Sequence, residues 1–159
     1  MHPTFAGFWL RFVAYIIDTI IIYSLQFFIF APVFGWLGIS FAARSTDFEN
    51  LSDAEAMGII GAMAAVSSAT LILTSVIALL YWTMMESSKY QATVGKLALG
   101  LRVTDMDGKS LDFAKALVRN LCKILSAMIM GLGYIIAGFT EKKQGLHDII
   151  ASTLVVKKY

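Results

Sequence analysis

The sequence has few charged residues and almost no cysteine or proline. Asp, Glu, Lys and Arg make up 15% of the 159 residues, whereas 58% are hydrophobic; soluble domains carry about 25% charged residues. The mean hydropathy is +0.72. The single cysteine, Cys122, excludes an intramolecular disulfide and a metal site built from several cysteines. This composition predicts an integral membrane protein and excludes a soluble globular domain.

Two uncharged runs are long enough to cross a bilayer. Residues 19–43 lack charge over 25 positions and residues 56–85 over 30, whereas about 20 apolar residues span the hydrocarbon core. A third run, residues 124–140, has only 17 positions and is interrupted by Gly131 and Gly133. It fits either a short or tilted span or a re-entrant hairpin that turns at Gly131 and Gly133. We therefore predict an all-α membrane protein with two transmembrane helices and a third membrane-embedded segment.

The distribution of basic residues predicts the sides of the membrane. The linker after the first span is mainly acidic, whereas residues 86–123 carry seven Lys or Arg residues. By the positive-inside rule, the basic segment and the N-terminus are cytoplasmic. We predict a single membrane domain over residues 1–159. Its first half holds a first span at about 8–34, an external linker at 35–56 and a second span at 57–85. Its second half holds a basic cytoplasmic segment at 86–123, the third membrane segment at 124–140 and a tail at 141–159.

A small β-ribbon is predicted on the cytoplasmic side. The alternating stretch LRVTD, residues 101–105, runs into the turn signal Met-Asp-Gly. The only other strand-like stretch is STLVVKK near the C-terminus. If the tail is cytoplasmic, residues 153–156 can pair with residues 101–104.

An amphipathic helix is predicted after this turn, with Ser110 as its N-cap and Asp112 in its first turn. Apolar residues recur on one face. Lys115, Arg119 and Lys123 recur on another, where we expect them to contact anionic lipid headgroups.

Arg11 and Asp18 form the most informative polar pattern. Seven residues are almost two helical turns, so Arg11, Tyr15 and Asp18 share one face of the first helix. A carboxylate facing hydrocarbon costs roughly 2.5 to 3.5 kcal/mol, so Asp18 is expected to face protein, water or an ion. Gln26 extends this polar stripe. Two interpretations of Asp18 stay open. It binds an ion or solute, or it makes a structural contact, either with Arg11 through Tyr15 or with a lysine. Arg11 by itself also fits an anchor to lipid headgroups.

Further polar candidates flank the second and third membrane segments. Glu86 is expected to be a solvated charge at a helix end. His147 and Asp148 fit a proton-handling pair, since a neighbouring carboxylate raises the pKa of a histidine. The preferred interpretation of Asp148 is structural, as a cap or as a partner of Lys96 or Arg102.

No motif for catalysis, metal binding or nucleic-acid binding is found in the sequence. Gly95-Lys96 lacks the other residues of a phosphate-binding loop, and Asp105-Met-Asp-Gly108 has its glycine too early for a calcium loop. We expect neither an enzyme nor a bound cofactor. The second span carries a face of small residues that permits close helix packing within the chain or between subunits: Gly58, Gly61, Ala62, Ala65, Ser68 and Ala69.

Three blocks of the sequence resemble the RDD family of small bacterial membrane proteins, which is named for one arginine and two aspartates. They are FAGFWLRFVAYIIDTII, ESSKYQATVGKLALGLRVTDMDGKSLDF and GLGYIIAGFTEKKQGLHDIIASTLVV, in that order. The matching positions are Arg11, Asp18 and Asp148, and the one departure noted is Ser152, where the family pattern has glycine. The resemblance implies a bacterial inner-membrane protein with a role in transport, linked in some members to cation/proton exchange.

Two functions follow as hypotheses. The first is a transport-related protein that handles a cation, a proton or a small solute at the Arg/Asp site. Two spans and a partial third cannot enclose a pathway, so this function requires a homo-oligomer or a partner membrane subunit. The second is a non-catalytic assembly or accessory protein that contacts lipid or a partner through its basic cytoplasmic segment.

Overall fold

The computed structural model describes residues 4–44, 52–129 and 131–158, without the side chains of residues 33, 37 and 39–44. The chain divides into two compact units. The first comprises Met1–Ile20 and Ala78–Tyr159 and is called the polar unit here. The second, Ile21–Ile77, is called the apolar unit.

Two long helices carry the apolar runs of the sequence. Helix α1 extends over Phe8–Arg44 and helix α2 over Asp53–Ser87. Both are long and apolar enough to cross a membrane. Ser52 and Glu55 cap the start of α2 reciprocally, since the Ser52 hydroxyl accepts a hydrogen bond from the Glu55 amide and the Glu55 carboxylate accepts one from the Ser52 amide. Both helices continue beyond the predicted spans, and residues 45–51 of the predicted linker lie outside the described residues.

The apolar unit turns large hydrophobic side chains outward. Phe28 is 77% exposed and Leu71 68% exposed. Hydroxyl groups on α2 are satisfied within the helix, because Ser68, Thr70 and Ser75 each donate a hydrogen bond to the carbonyl four residues earlier. Such a surface is stable in contact with lipid or with another apolar protein surface, not with water.

The predicted ribbon is confirmed. Strands β1 (Leu101–Asp105) and β2 (Thr153–Lys157) pair antiparallel, with Val103 opposite Val155. The chain before α1 joins the other side of β2, because the Ala6 amide donates to the Val155 carbonyl at 2.8 Å and the Lys157 amide to the Thr4 carbonyl at 2.9 Å. The ribbon anchors the core of the polar unit: Ala6, Ala14, Leu101, Val103, Leu111, Ala116 and Val155.

The turn after β1 forms as predicted, but the helix after it begins later than expected. The Asp105 carboxylate accepts hydrogen bonds from the Asp107 and Lys109 amides at 2.9 and 2.8 Å. Helix α4 extends over Phe113–Met128, and its N-cap is Asp112, which accepts from the Lys115 amide at 2.7 Å. Ser110 is therefore not the cap, because the aspartate two residues later supplies the acceptor for the free amides of the first turn.

The third membrane segment is sharply bent. After α4, helix α5 (Leu132–Ile135) and a 3₁₀ turn (Ile136–Gly138) run at 117° to its direction. The N-cap of α5 is Gly131, which adopts the left-handed conformation with φ +75° that favours glycine. A bend of this size fits a broken span as well as a re-entrant hairpin.

Helix α4 does not turn Arg119 and Lys123 toward headgroups as predicted, whereas the prediction for Lys115 stays a prediction. Arg119 is only 1% exposed, and Lys123 is half-buried and ion-paired, so these two side chains face protein, not headgroups. The apolar residues face outward instead, with Leu121 at 43% and Leu125 at 52% exposed. The prediction failed because a charged helical stripe looks the same from the sequence whether it meets solvent or buried carboxylates.

Candidate functional site

Asp18 anchors a short helix. It is 2% exposed and accepts hydrogen bonds from the Thr93 hydroxyl at 2.5 Å, the Gly95 amide at 2.8 Å and the Tyr81 hydroxyl at 3.0 Å. Thr93 is the N-cap of helix α3, Val94–Ala98, but its own side chain does not cap the helix. The carboxylate of Asp18 takes that place, because the free amides of a helix N-terminus favour a negative charge.

The glycine of the Thr-Val-Gly-Lys sequence is needed for close contact with α1. A Cβ atom at Gly95 would lie 2.1 Å from the Ala14 carbonyl oxygen, which is backbone and cannot turn aside. The Tyr81 hydroxyl completes the contact by accepting a hydrogen bond from the Val94 amide at 3.0 Å. The sequence thus packs α3 against α1 and turns its first amides toward Asp18.

A second, larger group of charges lies in the polar unit and is called the ion-pair cluster here. Its members are contributed by α1, α2, α3, α4 and helix α6, Leu146–Ile150. At its centre, Arg119 donates to Glu86 at 2.6 Å and to Asp148 at 2.8 Å. The six members are Arg11, Glu86, Lys96, Arg119, Lys123 and Asp148.

Glu86 is fully buried, so the expectation of a solvated end charge is wrong. Its carboxylate pairs with Lys96, with Arg119 and, at 3.4 Å, with Lys123. The Asn120 amide donates to it at 3.0 Å. Burial lowers the pKa of Lys96, and the attraction of Glu86 opposes this only in part.

The two charges that were expected to meet across Tyr15 have other partners. Arg11 pairs with Asp148, which lies 137 positions away in the chain, and donates from Nε to the Ala6 carbonyl at 2.9 Å. Its Nη2 atom is buried and has no acceptor among the described residues. The prediction took proximity in the sequence for proximity in space. Tyr15 is instead 52% exposed, with its ring 6.2 Å from that of Trp82.

Asp148 has the predicted capping role but not the predicted ion-pair partners. Its carboxylate accepts from the Gly145 amide at 3.1 Å at the start of α6, and it pairs with Arg11 and Arg119 rather than with Lys96 or Arg102. Burial alone would raise the pKa of Asp148, but the two guanidinium groups hold it below its usual range. Arg102 lies in β1 opposite Val156 and takes no part in the ion pairs found among the described residues.

His147 is a buried neutral histidine, not one with a raised pKa. It is 5% exposed, and burial lowers its pKa to about 3. The Asp148 carboxylate, whose Oδ1 lies 3.5 Å from Nε2, acts in the opposite direction and raises the pKa, but its effect is smaller. Nδ1 lies 3.3 Å from the Ser126 hydroxyl, and the Tyr134 ring lies 5.0 Å from the imidazole. The expected increase assumed an aqueous imidazole, whereas desolvation is the larger effect here.

Gln26 belongs to the apolar unit and finds its partner on the other long helix. Its amide nitrogen donates to the Thr74 hydroxyl, whereas its amide oxygen is buried with no donor among the described residues. An open groove of about 580 Å³ surrounds it and is lined almost wholly by apolar atoms. That Gln26 extends the polar stripe of Asp18 stays a prediction.

Several residues that complete these contacts were not predicted from the sequence. Tyr81 and Thr93 bind Asp18, and Asn120 binds Glu86. Asn120 had a detectable signal, because Ala116, Arg119, Asn120 and Lys123 follow the i, i+3, i+4, i+7 spacing of a single helix face. Tyr81 and Thr93 had none, since hydroxyl groups are common at the ends of membrane helices. No group of three or more potential metal ligands occurs within the described part of the chain.

Comparison with known proteins identifies the family. The family model described as RDD family matches residues 5–152, and the chain belongs to this family. It is 35% identical over 153 residues to the uncharacterized protein YxaI of Bacillus subtilis, covering 96% of this chain and 97% of that protein. It is 29% identical over 153 residues to the uncharacterized membrane protein YteJ of the same organism, covering 96% of this chain and 80% of that protein. No solved structure matches the chain significantly.

Proposed function

We propose that this protein is a transport-related membrane protein that handles an ion or a small charged solute at the ion-pair cluster. The observation that supports this most is the burial of Glu86, Lys96, Arg119 and Asp148, with Arg11 and Lys123 partly buried beside them, on five helices of a membrane protein. Burying charges is costly, and ionisable groups inside membrane proteins often lie on ion or substrate pathways. The proposal includes no catalytic step and no resident cofactor.

The arrangement of donors favours the ion-pair cluster over Asp18 as the place where a solute binds. Asp18 already accepts three hydrogen bonds that hold α3. The cluster, in contrast, sets four cationic side chains against two carboxylates. Lys123 is its most accessible member, with 18% of its side chain exposed while Glu86 and Asp148 are at 0%. A charged solute would therefore reach the cluster at Lys123.

A pathway requires more than one copy of the chain or a partner subunit. The two candidate spans and one bent segment found among the described residues are too few to surround a solute. The small residues that form one face of α2 support close packing with another helix, because Gly58, Gly61 and Ala65 are exposed. The proposed location is the bacterial inner membrane, with the N-terminus and the basic segment 86–123 on the cytoplasmic side of that membrane.

Flux measurements in reconstituted vesicles test this function. Purified protein is placed in liposomes, and proton, cation and anion fluxes are compared with those of empty liposomes. We expect flux from the native chain, at least tenfold lower flux from Lys123→Gln, and unchanged flux from Lys109→Gln, an exposed lysine outside the cluster. Absence of any flux from correctly assembled protein would reject the transport function.

The second candidate is a non-catalytic assembly or accessory protein. One observation favours it: Asp18, Glu86 and Asp148 all have several partners within the chain, as expected of charges that hold a fold together. Under this function, Asp18→Asn lowers abundance and assembly because α3 loses its anchor. Asp18→Asn therefore reports on the fold under either function, and the two functions are separated by Lys123→Gln, which should reduce flux at unchanged abundance only under the transport function.

A further inference from the structure

A continuous apolar surface covers the outer side of α4 and the segment that follows. Leu121, Ile124, Leu125 and Met128 are 43% to 75% exposed along α4. After the bend the surface continues, with Leu132 and Ile135 at 56% and 44% exposed and Phe139 at 86%. The surface of a soluble protein rarely leaves so many large apolar side chains in contact with water.

The opposite side of α4 is polar and fully engaged. Arg119 and Asn120 bind Glu86, and Ser126 donates to the Cys122 carbonyl at 3.1 Å and faces His147. This side is already covered by protein, so α4 cannot rotate to hide its apolar residues. The apolar surface must therefore be covered by something outside the polar unit, either lipid or another protein.

The segment is too short to cross a bilayer. The 16 residues of α4 extend about 24 Å at 1.5 Å per residue, less than the ~30 Å hydrocarbon core. The seven residues of α5 and the 3₁₀ turn do not add to this reach, because a bend of 117° carries them partly backwards. By length and direction, residues 113–138 enter a membrane and turn back.

The ribbon gives an independent reason for the same conclusion. Strand β1 precedes this segment and strand β2 follows it, and the two strands are hydrogen-bonded from Leu101 to Asp105. Strands that pair directly lie on the same side of a membrane, so the chain between them makes no net crossing. Thr4 and Ala6 also bond to β2, which fits two complete crossings by α1 and α2.

Lysines mark both ends of the apolar surface. Lys109 and Lys115 lie near the start of α4. Lys142 and Lys143 follow Phe139, where the apolar surface ends. The Lys143 ammonium group donates to the Gly138 carbonyl at 3.1 Å. Basic residues at both ends of an apolar segment suit a segment that begins and ends at one headgroup layer.

We infer that residues 113–139 form a wedge that inserts into a single leaflet and contacts its acyl chains, with both ends on the side of the ribbon. This inference goes beyond the proposed transport function and does not depend on it. Under this inference, the exposed side chains of α4 and α5 and the Phe139 ring contact lipid. The buried face of α4 contributes Arg119 and Lys123 to the ion-pair cluster.

Spin-label accessibility in vesicles tests the contact with lipid. Cys122 is replaced by serine, and single cysteines are introduced at Leu121, Leu125 and Ile135 in the full chain, reconstituted in phosphatidylethanolamine–phosphatidylglycerol vesicles. We expect these labels to be several-fold more accessible to oxygen than to a water-soluble nickel chelate, with the greatest depth near the bend. Lys109→Cys should show the reverse ratio, and the buried Ser126→Cys should be shielded from both.

Labelling with a membrane-impermeant maleimide tests the single-leaflet arrangement. Lys109→Cys and Lys142→Cys should react from the same side of oriented vesicles. Reaction from opposite sides would overturn the wedge in favour of a span. Slow motion of the Leu121 and Leu125 labels, with shielding from both oxygen and nickel, would overturn the lipid contact and indicate a second copy or a partner helix on this face.

Discussion

The apolar unit and the polar unit bury opposite kinds of side chain. Among the described residues of Ile21–Ile77, large hydrophobic side chains such as Phe28 and Leu71 are exposed, and the hydroxyl groups of Ser68 and Ser75 bond within their own helix. In the polar unit, Arg119, Glu86 and Asp148 are among the most buried residues, and the apolar core consists mostly of small side chains and the ribbon valines. The chain thus exposes apolar side chains in one unit and buries charged side chains in the other.

The difference shows where specific contacts are needed. A helix in lipid satisfies its backbone internally and requires only an apolar surface, so many sequences suffice. Five short and long helices that meet around charged groups need a defined partner for each charge, because a buried unpaired charge is costly. We therefore expect conservative changes to be far more damaging in the polar unit, and the following predictions test this in order of decreasing effect.

Glu86→Gln should be the most damaging of these changes. It leaves Lys96, Arg119 and Lys123 without their shared carboxylate, and removal of one side of a buried ion pair costs about 3 to 5 kcal/mol. The free energy of unfolding in mild detergent measures the loss. Glu55→Gln is the matched control, since Glu55 lies at the other, exposed end of α2. Equal stability of the two variants would contradict a structural role for the cluster.

Gly95→Ala should destabilise the protein by about 1 to 3 kcal/mol, because the added methyl group meets the Ala14 carbonyl and pushes α3 away from Asp18. Gly35→Ala in the apolar unit has open space around it and should be neutral or slightly stabilising, as alanine favours the helix. Thermal unfolding of both variants provides the comparison. A similar response to the two changes would argue against close packing at α3.

Acidification should destabilise the polar unit through His147. Its pKa is about 3 in the folded protein and about 6.5 when unfolded, so the unfolded state binds more protons between these values. Stability is therefore full above pH 7 and falls as the pH decreases, by about 2 kcal/mol at pH 5. Unfolding is measured at pH 7 and pH 5 in a His2→Gln background, with and without His147→Gln. Loss of the same size in both would exclude His147 as the cause.

A double-mutant cycle should separate the true partner of Arg11 from the apparent one. Arg11→Gln and Asp148→Asn should show a coupling energy of about 0.5 to 3 kcal/mol, because these residues are in contact. Arg11→Gln and Asp18→Asn should be additive within about 0.5 kcal/mol, since Asp18 binds Tyr81, Thr93 and Gly95 instead. Strong coupling in the second cycle would restore the link through Tyr15.

Ser152→Gly should give the smallest effect, a stabilisation of about 1 kcal/mol. Ser152 has φ +50°, a left-handed conformation that costs a residue with a Cβ atom more than it costs glycine. Ser152→Ala is the control and should bring no gain, because it keeps the Cβ atom. The difference in melting temperature between the two variants measures the strain at this turn.

Local patterns were sufficient for much of the fold. The uncharged runs predicted α1 and α2 as candidate spans, and the alternation of residues 101–105 and 153–156 predicted the ribbon. The Asp-Gly turn followed from its residue types. Each of these features depends on interactions within a few residues or on the length of an apolar run, and such interactions are determined by neighbours in the chain.

The partners of the charges could not be predicted in this way. Arg11 meets Asp148 across 137 positions, Glu86 is buried by residues from α3 and α4, and His147 is desolvated by its surroundings. The sequence by itself determined that the chain belongs in a membrane, where its apolar helices lie and which strands can pair. Only the tertiary structure decided which charge faces which, because electrostatic partners and burial depend on distances in space that no local spacing encodes.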